Sequence, residues 1–129
     1  MYFQTKIQTK SDVLTSSSRK KMIIKRLTDR LGLEKEEVSE LLQLYTETTG
    51  KDIQTLKTAL ETKDTTLAHK KAHAIKGASG NMGLTTIYEL AIEIDDRVQS
   101  NSLDGLEDIW AKLYREYQNL INEIKESES

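Results

Sequence analysis

Apolar side chains recur along this chain at intervals of three and four residues, and the strict alternation of a half-buried strand appears nowhere. From Ser18, a residue able to cap a helix, Ile24, Leu27 and Leu31 fall on one stripe, and Gly32 stands where a helix stops. The pattern predicts a short first helix. Glu34, Glu36 and Glu37 open the next segment, where negative charge suits a helix N-terminus. Val38, Leu42, Tyr45, Thr49, Ile53, Leu56 and Leu60 then hold a period near 3.6, and the phase survives Gly50. One long helix from Glu34 to Thr62, weakened or bent at Gly50, fits better than two helices with a loop between them.

Asp64 is placed to cap a third helix, and Thr86 with Glu89 forms a capping-box pattern at the head of a fourth. Ile87, Leu90, Ala91, Ile94 and Val98 form the stripe of that fourth helix. After the polar turn Ser100–Ser102, Asp104 and Glu107 mark a last start, with Leu106, Trp110, Leu113, Tyr117, Leu120 and Ile124 on one face. The expected fold is all-α: an antiparallel four-helix bundle with a short additional N-terminal helix, spanning residues 18–126. Residues 1–17 lack sustained periodicity, with Tyr2, Phe3 and Ile7 the few bulky anchors, and are expected to form a flexible tail.

Composition sharpens this picture at several points. The chain has no proline, as a mostly helical protein would, and no cysteine, which excludes disulfides and thiolate metal sites. A reducing compartment, and so the cytoplasm, is the expected location. Nineteen basic and 21 acidic side chains give a net charge of -2, which offers no overall attraction to nucleic acid. No apolar run approaches the roughly 20 residues of a membrane span, and no signal-peptide pattern is present, so membrane insertion is not expected. The basic face of the first helix, Arg19, Lys20, Lys21, Lys25, Arg26 and Arg30, reads as solvated surface.

The stretch His69–Gly83, HKKAHAIKGASGNMG, carries the candidate chemistry, because a helical segment here holds half of the chain's six glycines. On a helical wheel with His73 at the origin, Ala68, Ala72, Ile75, Ser79 and Met82 gather at roughly 180° to 260°, an arc suited to the bundle interior. His69, Gly77 and Gly80 lie within about 40° of His73, and Lys70 and Lys76 flank it at about 60° on either side. Each interior glycine costs a helix roughly 1 kcal/mol relative to alanine, so glycines on an exposed face call for a reason. Access to the imidazole supplies one: Gly77 and Gly80 would let a bulky group or another protein approach.

A free imidazole has a reference pKa near 6.5, so its neutral form presents a nucleophilic nitrogen around neutral pH without a separate base. Phosphoryl transfer asks for positioning and positive charge more than covalent machinery, and Lys76, one turn on, would bring that charge, with Lys70 a weaker source on the other flank. No P-loop or kinase motif is present, so a phosphoryl group would have to come from another protein.

The run His73, Lys76, Gly77, Gly83, continuing through "ASGNMGL", closely resembles the motif of the histidine-containing phosphotransfer (HPt) domain family, and the resemblance extends from about Leu31 to Ile124. It implies a phosphorelay intermediate of two-component signal transduction, without an ATP-binding or kinase domain of its own. Such a carrier accepts a phosphoryl group on histidine from a receiver-domain aspartate and passes it to another receiver aspartate. His73 matches the acceptor, Lys76 the basic residue beside the phosphoryl group, Gly77 the cleared site and Gly83 the glycine closing the motif. Ile75 stands where the family often has leucine; His69 is not a motif position and is expected, with Lys70, to be at most a neighbour on the docking surface. The implied partners are receiver domains of response regulators or of hybrid histidine kinases, and the implied Mg2+ belongs to the receiver, with no cofactor bound by this chain. Docking through apolar residues near the histidine is also implied; Tyr88 and Ile92 form a second stripe on the fourth helix, either partly exposed or covering the adjacent helix.

Two other classes of function compete. His69 and His73, four apart, would offer a metal two ligands, fewer than the three or four that a zinc site takes. A non-catalytic helical protein-interaction module would use the glycines for close helix approach and would leave His73 without a role.

Overall fold

The computed structural model describes residues 16–128, with side chains from Ile23 to Glu126. Five helices follow one another: α1 Ser16–Leu31, α2 Lys35–Glu61, α3 Thr65–Asn81, α4 Thr85–Gln99 and α5 Leu106–Glu128. Among the described residues there is no strand. The expected tail falls almost entirely on residues 1–15, which lie outside the described residues.

The chain divides into two compact units, one comprising the residues up to Ser39 and from Leu120 onward, the other Glu40–Asn119. In the first, Ile23, Ile24, Leu27, Val38, Leu120 and Ile124 are buried; Ile24 and Leu27 lie on the expected stripe of α1, whereas Leu31 is only half-buried and Ile23 takes an inward place the stripe did not give it. On the basic face of α1, Lys25 pairs with Asp29 at 2.8 Å in open solvent, while the side chains of Arg19, Lys20 and Lys21 lie outside those described.

Three sets of contacts within Glu40–Asn119 give the helix directions. Tyr45 meets Ser79 at 2.7 Å and Asp52 meets Lys71 at 3.2 Å, so α2 and α3 run antiparallel. His69 meets Asp95 at 2.6 Å, and Tyr88 lies against Gly80, so α3 and α4 do the same. Trp110 donates its indole N–H to the Ile53 carbonyl at 2.9 Å and Tyr117 its hydroxyl to the Thr46 carbonyl at 2.6 Å, which sets α5 antiparallel to α2. The core between these helices holds Leu42, Ile53, Leu56, Ile75, Ile94, Leu106 and Leu113.

The turns after α2, α3 and α4 share one device. A residue with positive φ follows the helix end, Lys63 at 57°, Gly83 at 70° and Asn101 at 60°. The next amide donates back to a carbonyl five residues earlier: Asp64 to Ala59, Leu84 to Ser79 and Ser102 to Arg97, at 2.8 to 2.9 Å. This pattern satisfies carbonyls that a helix end leaves without partners.

Helix starts differ more. Asp64 caps α3 as expected, its carboxylate accepting from the Leu67 N–H at 3.1 Å. Glu34 is the N-cap of α2, and its amide donates to Glu37 Oε1 at 2.9 Å, the returning half of a capping box. The capping box expected from Thr86 and Glu89 does not form. Helix α4 begins at Thr85 with Leu84 at the cap and no side-chain hydrogen bond there. Leu84 is held in that place by the hydrogen bond its N–H donates to the Ser79 carbonyl and by its buried side chain. Gly50 does not interrupt α2: it clears the path of the Tyr117 hydroxyl, against which any Cβ would collide.

Candidate functional site

Helix α3 presents small or compact residues to its neighbours, with Ala68, Ala72, Ile75 and Ser79 buried along one side and Met82 closing the row. Small side chains let the flanking helices approach closely, and two polar contacts fix the rear of α3 to α2. One is the Tyr45–Ser79 hydrogen bond, in which either hydroxyl is able to donate; the other is the Lys71–Asp52 pair. Burial pushes the Tyr45 phenol above its ordinary pKa, with hydrogen bonds to Ser79 and Thr49 pulling part of the way back.

The opposite side of α3 carries the expected constellation. His73 is exposed, and its ring neighbour among the described residues is His69, at a centroid distance of 5.9 Å and a tilt of 39°. Lys76 is half-buried one turn further along, and Lys70 is exposed. Among the described residues neither makes an ion pair or hydrogen bond, whereas Lys71 is committed to Asp52. An uncommitted ammonium next to an exposed imidazole is available to a charged ligand.

The two glycines expected to give access differ. A Cβ built at Gly77 meets nothing within 4 Å, so the backbone beside His73 is open. At Gly80 the same atom would stand 3.1 Å from Cδ1 and Cε1 of Tyr88. Gly80 therefore accommodates an aromatic ring of α4, and the open approach belongs to Gly77. Tyr88 is 36% exposed and Ile92 half-buried, so Tyr88 both covers the adjacent helix and remains partly in solvent. Gly83 adopts the left-handed conformation that ends α3, at a φ of 70°, where a side chain would be strained.

One residue of this region escaped the sequence reading. Asp95, 3% exposed, accepts from His69 Nδ1 through Oδ1 at 2.6 Å and from Gln99 Nε2 through Oδ2 at 3.1 Å. A signal was present, since Asp95 lies four residues past Ala91 and eight past Ile87, on a line that helical geometry sends toward the interior. Among the described residues no group of three or more histidine, cysteine, aspartate or glutamate side chains is arranged to hold a metal ion.

The site thus combines an accessible nucleophilic ring, an unpaired cation and bare backbone, on a helix fixed from behind. Comparisons with known proteins agree in direction. The family model described as the Hpt domain matches residues 40–127. A solved structure, histidine-containing phosphotransfer protein B from Pseudomonas aeruginosa PAO1, is similar in fold with a TM-score of 0.70, at 20% identity, covering 83% of this chain and 91% of that one. No curated protein matches the sequence.

Proposed function

Because this chain belongs to the Hpt domain family, and so serves as a histidine phosphotransfer intermediate in two-component signalling, we propose that His73 is the residue that carries the phosphoryl group. The observation that supports this most directly is the pairing of an exposed imidazole with Gly77, where even a Cβ would meet nothing within 4 Å. A receiver's aspartyl phosphate has to come within bonding distance of a ring nitrogen, and side chains on the neighbouring turn would stand in its way.

In the transfer, a neutral His73 ring uses the lone pair of one nitrogen to attack phosphorus. A P–N bond forms as the P–O bond to the aspartate breaks, and the electron pair of that bond leaves with the carboxylate. The second ring nitrogen holds its proton through the step. Lys76 offers its ammonium to the non-bridging oxygens, where charge is spread in a loose transition state. Return transfer to a second receiver reverses the same bond changes. The Mg2+ implied for such a transfer would be held by the receiver's own residues.

Hpt domains interact with receiver domains, and here the partners are those of response regulators or hybrid histidine kinases. Among the described residues no helix is long and apolar enough to cross a membrane, and we assign the protein to the cytoplasm, where such circuits exchange phosphoryl groups.

Incubation with a panel of phosphorylated receiver domains tests the assignment. The native chain is expected to acquire acid-labile label and His73→Gln none, while both give the same helical circular dichroism. Label that persists in His73→Gln would move the acceptor elsewhere, and no label from any competent donor would defeat the reading altogether.

A further inference from the structure

Asp95 is a carboxylate enclosed by protein, and burial of a charge is unfavourable unless it is paired. Its partner is neither lysine nor arginine. It is His69, whose side chain remains 48% exposed while that of Asp95 is 4% exposed. An ionised carboxylate only accepts hydrogen bonds, so with Asp95 charged the proton of this contact sits on Nδ1 of His69. Gln99 satisfies the other carboxylate oxygen. The ring is therefore oriented from α4, and Nε2 is the nitrogen left to meet anything outside the bundle.

That ring lies one helical turn before His73, 5.9 Å from it. We propose that His69, oriented by Asp95, is a positioning residue for the phosphoryl group on His73, donating from Nε2 to a phosphoryl oxygen when its ring is protonated. The inference rests on His73 as the acceptor and adds a second, titratable donor on the side of the acceptor away from Lys76. In the protonated ring the two N–H groups would join the Asp95 carboxylate to the phosphoryl group.

The surrounding charges are consistent with this role. From α4, Asp95 contacts the ring directly, and Asp96, next in the chain, is exposed. From α3 itself come His73, Lys70 and Lys76. Helix α2 contacts the other face of α3, through Tyr45 with Ser79 and Asp52 with Lys71. A contact that only pinned α3 to α4 would be indifferent to Nε2. The proposed role is not, because a neutral ring with its proton on Nδ1 offers the phosphoryl oxygens a lone pair.

The test is the equilibrium partition of label between one receiver and this chain, for native protein, His69→Ala, His69→Gln and Asp95→Asn, near pH 6 and near pH 8.5, on either side of the usual imidazole range. Near pH 6, His69→Ala is expected to shift the partition toward the receiver by roughly three- to tenfold, the range for a charge-assisted contact in partial solvent. Near pH 8.5 native and His69→Ala should coincide. His69→Gln, whose amide approximates the Nε2 donor, should restore much of the partition without the pH dependence, and Asp95→Asn should weaken the native pH response. Equal partition for native and His69→Ala at both pH values would overturn this inference while leaving His73 labelled. A loss that is the same at both pH values and in all three variants would reduce the pair to a structural pin. No label on the native chain would remove both readings.

Discussion

At Gly77 an added methyl group meets open space, whereas at Gly80 it meets the ring of Tyr88 at 3.1 Å. Both positions are helical, so alanine at either gains about 1 kcal/mol of intrinsic propensity. Only at Gly77 is that gain unopposed. Gly77→Ala is expected to raise the thermal midpoint by about 3–5 °C. Gly80→Ala should yield less than half of this, since the ring has to shift by a few tenths of an ångström. Equal gains in a melting experiment would show that the Tyr88 contact imposes no constraint. Gly77→Leu should melt no lower than the native chain and yet accept phosphoryl groups from receivers more slowly, by roughly tenfold or more if docking is misaligned by about an ångström. Stability and activity would then move apart at one residue, and an unaltered acceptance rate would remove the clearance argument for Gly77.

Among the helices, α3 and α4 start in different ways, and substitutions at their caps should register it. Asp64→Ala deletes the hydrogen bond to the Leu67 amide and is expected to destabilise by about 1 kcal/mol in chemical denaturation. Thr86→Ala should stay within about 0.5 kcal/mol of the native chain, because no capping box exists there to lose. A loss at Thr86 as large as that at Asp64 would contradict the observed start of α4. The contrast also marks how far the sequence could be read. Helix number, order and inward faces follow from apolar period, which local geometry enforces, and Leu42, Ile53, Ile94 and Leu113 are buried on the expected stripes. The start of α4 was not legible from Thr86 and Glu89, because the backbone bond from Leu84 to Ser79 decides it. At the site, the wheel exposes His73 and Gly77, but a wheel for α3 has no knowledge of what α4 places over Gly80. For the same reason the partner of His69 came only with the packing of two helices.

Across the molecule as a whole, stability should respond to alkali through two tyrosines. Burial pushes the Tyr45 and Tyr117 phenols above their ordinary pKa, with Tyr114 adding to the effect on Tyr117. The folded state therefore favours the neutral phenol more than the unfolded chain does. This contribution is fully present below about pH 10, where an unfolded tyrosine titrates, and it declines as pH rises through the folded values. Phenolate absorbance is expected to show two late-titrating rings whose ionisation accompanies loss of helical signal. Early titration of every tyrosine with the helices intact would contradict it. Tyr45 has a further consequence through its bond to Ser79. With Lys71 held by Asp52 before His73 and Ser79 held by Tyr45 after it, the proposed acceptor stands on a beam clamped to α2 on either side of it. Gaining or losing a phosphoryl group should leave such a beam where it was. The message this protein relays is then written in a single bond, and a receiver reads it by taking that bond away.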